Sequence, residues 1–332
     1  MSRYAAAHAD PQGPGDARPT ALQVVEDEGL VGKLAGTVVL VTGANTGIGL
    51  ETARAVHATG ATLFVTARDA AKARRAVDGV RGGPSPGSGA PVHAVELRLD
   101  SLASVRSAAA EFLSRSGRLD VLVLNAGVMA TPRGRTEDGF ETQFGTNHLG
   151  HFLLFQLLKP ALLASSTPGR QSRVVSVSSM AHHRANVRLD DVGFEREAYD
   201  PWAAYGRSKT ANVLFAKEVE RRYGPRGLHA LSLHPGVIHT NLMQHLSEEE
   251  TEGILSSEAI KPHLKDAQQG AATTVYAALS REWEGRGGEY LSNLVRQGPT
   301  TDRTGYAPYI DDEQLSKELW DKSNELVGFV EE

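Results

Sequence analysis

The chain of 332 residues contains no cysteine. Disulfides, thiol catalysis and cysteine-bound metal are thereby excluded, and the usual clue to redox compartment is missing. There is no apolar run of transmembrane length. The N-terminus lacks the charged-then-apolar layout of a secretory signal. Basic residues do not dominate: the formal net charge is -5, which gives no sign of a nucleic-acid surface. No internal repeat is visible. What is present is the composition of a soluble globular protein, 40% hydrophobic and 23% charged, so a cytoplasmic enzyme is the default expectation.

Residues 1 to about 20 are rich in Ala, Pro, Gly and Asp and are predicted to be a disordered tail. Residues 21–36 suit a short helix and turn. Strand-like and helix-like segments then alternate. Val38–Val41, Ala61–Thr66, Val92–Leu99, Val121–Leu124, Val174–Val177 and Leu228–Leu233 read as strands. Gly49–Thr59, Ala70–Val80, Leu102–Leu113 and Ala204–Arg222 read as helices. Gly139–Leu163 reads as a long apolar helical stretch with breaks, and Gly82–Pro91 as a surface loop. Short apolar strands alternating with helices argue for an α/β fold. The expected architecture is a single Rossmann-type, doubly wound parallel sheet of about seven strands flanked by helices. Residues 21–332 would form one catalytic domain.

Two local patterns carry chemistry. The first is Thr42-Gly43-Ala44-Asn45-Thr46-Gly47-Ile48-Gly49, between a strand and a helix. Glycines allow a tight turn and a close phosphate, and the helix N-terminus offers free N–H groups and a positive dipole end. The second is Tyr205-Gly-Arg-Ser-Lys209, which places a phenol and an ammonium one helical turn apart on one face. A neighbouring cation favours the phenolate, so Lys209 is expected to lower the Tyr205 pKa from its usual ~10. A phenol tuned toward working pH can exchange a proton with a substrate oxygen.

The Gly-x-x-x-Gly-x-Gly spacing resembles that of the short-chain dehydrogenase/reductase family. The resemblance runs from about Gly36 to Leu291 and includes Asn125-Ala126-Gly127, Asn147, Ser178-Ser179, Tyr205 with Lys209, and Pro235-Gly236 with Thr240 beyond. Gly43-Ala-Asn-Thr-Gly-Ile-Gly, Asn147-His-Leu-Gly-His-Phe, Ser178-Ser-Met-Ala-His and the long insertion between Ser179 and Tyr205 are similar to the retinol-dehydrogenase-like branch. The chain departs from many membrane-bound retinol dehydrogenases in showing no N-terminal anchor.

The resemblance implies a set of roles. Tyr205 would be the general acid in reduction and the base in reverse. Lys209 would bind the nicotinamide ribose, and Ser179, the second serine of its pair, would polarise the substrate oxygen. Asn147 would hold a water linking Lys209 to solvent. Gly43, Asn45, Thr46, Gly47, Ile48 and Gly49 would cradle the cofactor phosphates. Asp100 would meet the adenine, Asn125, Ala126 and Gly127 the adenosine side, and Pro235, Gly236, Ile238 and Thr240 the nicotinamide end.

NAD-specific sites usually end the second strand on an acid. Here the corresponding residue is Ala67, followed by Arg68, whose guanidinium suits a 2′-phosphate. NADP is therefore the expected cofactor. Asp69 complicates this, because a register shift of two would return an acid to the site.

Other features have plainer readings. His182 and His183 are loop histidines that would at most line a pocket mouth. His148 and His151 stand at a metal-like spacing, but no third ligand is evident and packing is favoured. Glu248-Glu249-Glu250 marks a helix start. The stretch 241–263 lies where the family places its substrate lid, and its Leu242, Met243, Leu246, Ile254 and Leu255 suggest a hydrophobic alcohol, ketone or aldehyde. A C-terminal extension begins at about Asn293, and Tyr306, Tyr309 and Trp320 would pack it on the core, where it would border the pocket. The apolar run Phe152–Leu158 fits either simple burial or a homodimer through the helices bearing Asn147 and Tyr205. The expected activity is NADP-dependent oxidoreduction of CH–OH and C=O groups. The rival readings are a specialised-metabolite, polyketide-like ketoreductase and a non-catalytic NADP-binding sensor or scaffold.

Overall fold

Val38–Val41 (β1) is buried at all four positions, as a strand covered on both faces must be. The computed structural model describes residues 3–83, 89–301 and 305–331. On one side β1 pairs in parallel with β2 (Thr62–Ala67), which pairs with β3 (Val92–Glu96). On the other side lie β4 (Val121–Leu124), β5 (Ser172–Val177) and β6 (Leu228–His234), all parallel. β7 (Val237–Ile238) and β8 (Leu264–Lys265) form a separate two-stranded pair. β9 (Tyr290–Ser292) adds to β6 in parallel, and β10 (Val295–Gln297) returns antiparallel to it. The main sheet thus has eight strands in the order β10-β9-β6-β5-β4-β1-β2-β3.

The strand beyond the expected seven comes from a hairpin turn made by Asn293 and Leu294, with φ of 54° and 57°. An Asn-Gly pair would have signalled that turn; a leucine in left-handed backbone does not. Of the loop predicted over Gly82–Pro91, residues 84–88 lie outside the described residues.

Helices cover both faces. α1 (Ala21–Asp27), α2 (Gly47–Ala58), α3 (Ala70–Arg81) and, late in the chain, α9 (Ala267–Leu279) contribute to one apolar core. α4 (Leu102–Arg115), α6 (Gly150–Ser165) and α7 (Pro201–Tyr223) build the other. The predicted stretch over Gly139–Leu163 resolves into α5 (Thr142–Phe144), a π-helical turn (Gly145–Leu149) and α6 (Gly150–Ser165). Then come α7 (Pro201–Tyr223), α8 (Glu248–Ser256), α9 (Ala267–Leu279) and α10 (Glu313–Val327). Ser247 and Glu250 close a capping box on α8, which accounts for the acidic run. Among the described residues no helix is long and apolar enough to cross a membrane.

Both termini depart from the expectations. Residues 3–20 were expected to be disordered, but they pack on the domain. Tyr4 is buried edge-on against Tyr276, ring centroids 5.8 Å apart. The buried Arg18 guanidinium donates to the carbonyls of Gly13 and His263 and bonds Asp16. Composition registers the shortage of apolar residues there but not these two anchors. At the other end, Trp320 of α10 meets Phe152 at 5.0 Å and stacks on Phe215 at 6.1 Å. The run Phe152–Leu158 is therefore covered within the chain and needs no second subunit to bury it. Among the described residues, none of the extension lines the main cleft.

Candidate active site

At the C-terminal ends of β1, β4, β5 and β6 lies a cleft of about 650 Å³. This is the switch point of the sheet, where the chain winds away in both directions and ligands of such folds bind. Its lining includes Gly43, Asn45, Thr46, Gly47, Ile48, Gly49, Arg68, Asp100, Asn125, Ala126 and Gly127, and further Ser179, Tyr205, Lys209, Pro235, Gly236, Ile238 and Thr240. Of the predicted site residues, Asn147 alone stands outside the lining.

The glycine loop is shaped by close approach. A Cβ on Gly49 would lie 2.2 Å from the Gly43 carbonyl oxygen, so no side chain fits there. Thr46, at the N-cap of α2, makes no side-chain capping bond, which leaves the first-turn N–H groups of a twelve-residue helix facing the cleft. Thr42 braces the loop from below: its hydroxyl accepts from the main-chain N–H of Asn125 at 2.9 Å and of Ala126 at 3.0 Å. Asn125 donates its amide to the Thr42 carbonyl at 2.9 Å.

β2 ends on the buried Ala67, and Arg68 follows into the cleft. Asp69 is spent elsewhere. Its carboxylate accepts from Lys72 N–H at 2.7 Å as the N-cap of α3, and its other oxygen pairs with Lys72 Nζ at 3.0 Å. Asp69 stands two residues beyond the end of β2 and outside the cleft lining. Lys72, which the sequence did not single out, also lines the cleft; the Asp-x-x-Lys spacing at the helix start was the available signal.

On α7, Asp200 caps the first turn by accepting from Ala203 N–H at 2.6 Å, and Pro201 presets its backbone. Gly206 lets this helix approach the turn Met180–Arg184, since a Cβ there would be 2.8 Å from the Ala181 carbonyl. Tyr205 and Lys209 are both buried. Lys209 Nζ lies 5.7 Å from the centre of the Tyr205 ring and donates to the Val177 carbonyl at 3.0 Å. Burial pushes the Tyr205 phenol up to about 12, and a hydrogen bond with Ser179 opposes this. Burial pushes Lys209 down to about 8. The expected lowering of the tyrosine by its lysine is thus reversed: the same burial that disfavours the phenolate also disfavours the ammonium meant to stabilise it.

Ser178 and Ser179 divide cleanly. The buried Ser178 hydroxyl donates to the Lys209 main-chain carbonyl at 2.8 Å. Ser179 faces the cleft beside Tyr205, its oxygen accepting from Ala181 N–H at 3.1 Å.

Asn147 sits behind the cleft in the π-helical turn. Its amide donates to the Val128 carbonyl and to Ser208 Oγ, each at 2.9 Å, and its oxygen accepts from Val128 N–H at 2.8 Å. The side chain thereby ties the segment after β4 to α7. His151 contacts the Asn147 carbonyl at 3.0 Å and the Thr42 hydroxyl at 2.9 Å, and His148 Nε2 contacts Ser323 at 2.8 Å, so both rings are held by packing partners. His182, fully buried, reaches the Ser179 carbonyl and accepts from Ala307 N–H at 3.1 Å. His183 contacts the Gly305 carbonyl at 3.0 Å. These two histidines fasten the C-terminal extension to the serine turn.

Beyond Tyr205 lies a small apolar cluster of Met129, Ala130 and Ala181, with Trp202, Leu242, Met243 and Leu246 packed on it. Leu242, Met243 and Ile254 of the 241–263 segment line the cleft. The sequence did not single out Met129 or Trp202, although they lie two residues after Gly127 and three before Tyr205, nor Lys265. That lysine is buried, its amine pushed down to about 8 by desolvation, and it donates to Asn293 Oδ1 at 2.8 Å. Its stem backs Gly236, where a Cβ would lie 2.9 Å from Lys265 Cδ.

A family model described as short chain dehydrogenase matches residues 37–251. A Penicillium roqueforti protein described as short-chain dehydrogenase/reductase prx1 is 46% identical over 99% of this chain and 96% of its own. Human retinol dehydrogenase 13 is 38% identical over 88% of this chain and 85% of its own. The crystal structure of an uncharacterised protein from Mycobacterium paratuberculosis superposes with a TM-score of 0.67 at 36% identity, covering 89% of this chain and 94% of that one. With the glycine loop, the serine pair and the Tyr205–Lys209 helix in one cleft, the chain belongs to the short-chain dehydrogenase/reductase family, and its relatives include retinol dehydrogenases.

Proposed function

We propose that the protein interconverts a hydrophobic ketone or aldehyde and its alcohol, with NADP as its cofactor. One observation carries this reading: the Tyr205 phenol and Ser179 hydroxyl meet where the glycine-loop cleft opens onto the apolar cluster around Met129.

The donor set fits a dinucleotide. The bare N-terminus of α2 and the close approach at Gly49 suit a pyrophosphate. Arg68 and Lys72 suit a 2′-phosphate, and no acid stands at Ala67 to repel it. Asp100 and Asn125 would hold the adenosine side, and Ile238 and Thr240 the nicotinamide end. When bound, the nicotinamide supplies or takes up hydride.

The side chains do the rest. Ser179 donates to the substrate oxygen and fixes its position. Tyr205, protonated at neutral pH, gives that oxygen its proton in reduction and takes it back in oxidation. Lys209 orients the ribose and favours the phenolate formed in the step. Asn147 forms the fixed wall of a water-mediated proton path to Lys209. The apolar cluster excludes water from the reacting oxygen.

The test is oxidation of NADPH and of NADH against a panel of hydrophobic aldehydes and ketones, with retinal among them because of the retinol dehydrogenases at 38% identity. Turnover that prefers NADPH supports the reading. NADPH binding with no turnover across the panel contradicts it and favours a sensor.

A further inference from the structure

Arg184 closes the turn that begins just after Ser179, and it lines the mouth of the cleft. Its guanidinium carbon lies 4.9 Å from the centre of the Trp202 ring. Trp202 precedes Tyr205 by three residues on α7, so the two rings project from one side, 6.4 Å apart. The Glu250 carboxyl of α8, held below the usual range chiefly by Ser247, is also within reach of the Trp202 indole. Stepping outward from the reacting phenol, the order is therefore Tyr205, Trp202, Arg184.

The arginines downstream differ from this one. Arg188, Arg196 and Arg207 are each paired with Asp190 or Glu197. Among the described residues Arg184 has no carboxylate within ion-pair distance. Among the described residues Asp100, toward β3, is the one carboxylate lining the cleft, and Glu250 is engaged by Ser247. Among the described residues the mouth therefore carries a cation with no acid paired to it. A guanidinium laid on an indole is pre-oriented, weakly hydrated and able to take a carboxylate through two parallel N–H donors.

Resting on the oxidoreductase reading above, we propose that Arg184 reads a carboxylate on the substrate. The preferred substrate is then an amphipathic oxo or hydroxy acid. Its carbonyl lies at Ser179 and Tyr205, its apolar body against Met129, Trp202 and Met243, and its carboxylate at Arg184.

The test compares 10-oxodecanoic acid with its methyl ester on the full chain. The acid/ester ratio of kcat/KM is measured for the wild type, Arg184→Gln and Arg184→Lys, and binding of both compounds in the presence of NADP is measured by calorimetry. The wild type is expected to favour the acid by roughly tenfold or more, the size of a charge-assisted hydrogen bond. Arg184→Gln brings the ratio near one, Arg184→Lys keeps part of it, and the wild-type ratio falls with salt. Equal handling of acid and ester by the wild type, or the same ratio in Arg184→Gln, overturns the assignment. Selective binding of the acid without turnover contradicts the oxidoreductase reading while supporting the carboxylate site.

Discussion

The Ser178 hydroxyl donates to the main-chain carbonyl of Lys209 across 2.8 Å, joining the end of β5 to the helix α7 that bears Tyr205. Its neighbour Ser179 faces the cleft instead. Adjacent serines therefore have different expected effects on turnover. Ser178→Ala removes a buried bond to a carbonyl that still accepts within α7, and should lower stability by about 0.5–1.5 kcal/mol, read by urea unfolding, with kcat nearly kept. Ser179→Ala should cost about 1 kcal/mol for the lost cap on the Met180–Arg184 turn and reduce kcat by roughly a hundredfold, the scale of losing one donor to the developing oxyanion. The reverse pattern would assign the active hydroxyl to Ser178.

Arg68 lines the cleft while Asp69 is committed to capping α3. Arg68→Ala should raise KM for NADPH by about tenfold or more and leave KM for NADH nearly unchanged, because only NADPH carries the 2′-phosphate. An unchanged NADPH/NADH preference rules out the phosphate clamp.

Lys209 is buried with its pKa pushed down to about 8. The unfolded lysine titrates near ~10.4, so between about pH 8 and ~10.4 the unfolded chain binds more protons and stability from this group rises with pH. Below pH 8 the buried ammonium is a constant destabilising contribution. Lys209→Met should therefore be more stable than wild type at pH 7, by on the order of 2 kcal/mol after allowing for the lost bond to Val177. The difference should shrink toward pH 10. Urea titrations at the two pH values check this. A gap independent of pH would show that Lys209 is not held against its charge.

Trp320 fills the space between Phe152, Phe155 and Phe215. Trp320→Ala should cost about 3–5 kcal/mol and open an aromatic surface on α6 and α7. Sedimentation should then show self-association absent from the wild type. Wild-type protein that is already dimeric through this face would contradict the covering role of α10.

Local pattern made much of the molecule legible. The glycine loop and the Tyr-x-x-x-Lys helix are contiguous, so spacing alone places them on a turn and on one helix face. Val38–Val41 and Val121–Leu124 announce buried parallel strands by being apolar throughout. What was not legible depends on distant contacts. Asn147 pairs with Val128 and Ser208, Lys265 with Asn293, and Arg18 with the carbonyl of His263. The direction of the Tyr205 pKa was misjudged for a related reason: the distance to Lys209 follows from spacing, whereas the burial that outweighs it is a property of the assembled fold. The Asn293–Leu294 turn escaped because leucine carries no turn signal, and β10 escaped with it.

The central claim is that the Tyr205 phenol moves the proton. It is tested most directly by Tyr205→Phe, measuring NADPH affinity by fluorescence alongside turnover of a ketone or aldehyde the wild type reduces. The predicted result is a loss of turnover of a thousandfold or so, in the range known for a proton-transferring group, with NADPH affinity within about threefold of wild type. Turnover equal to wild type would contradict the account.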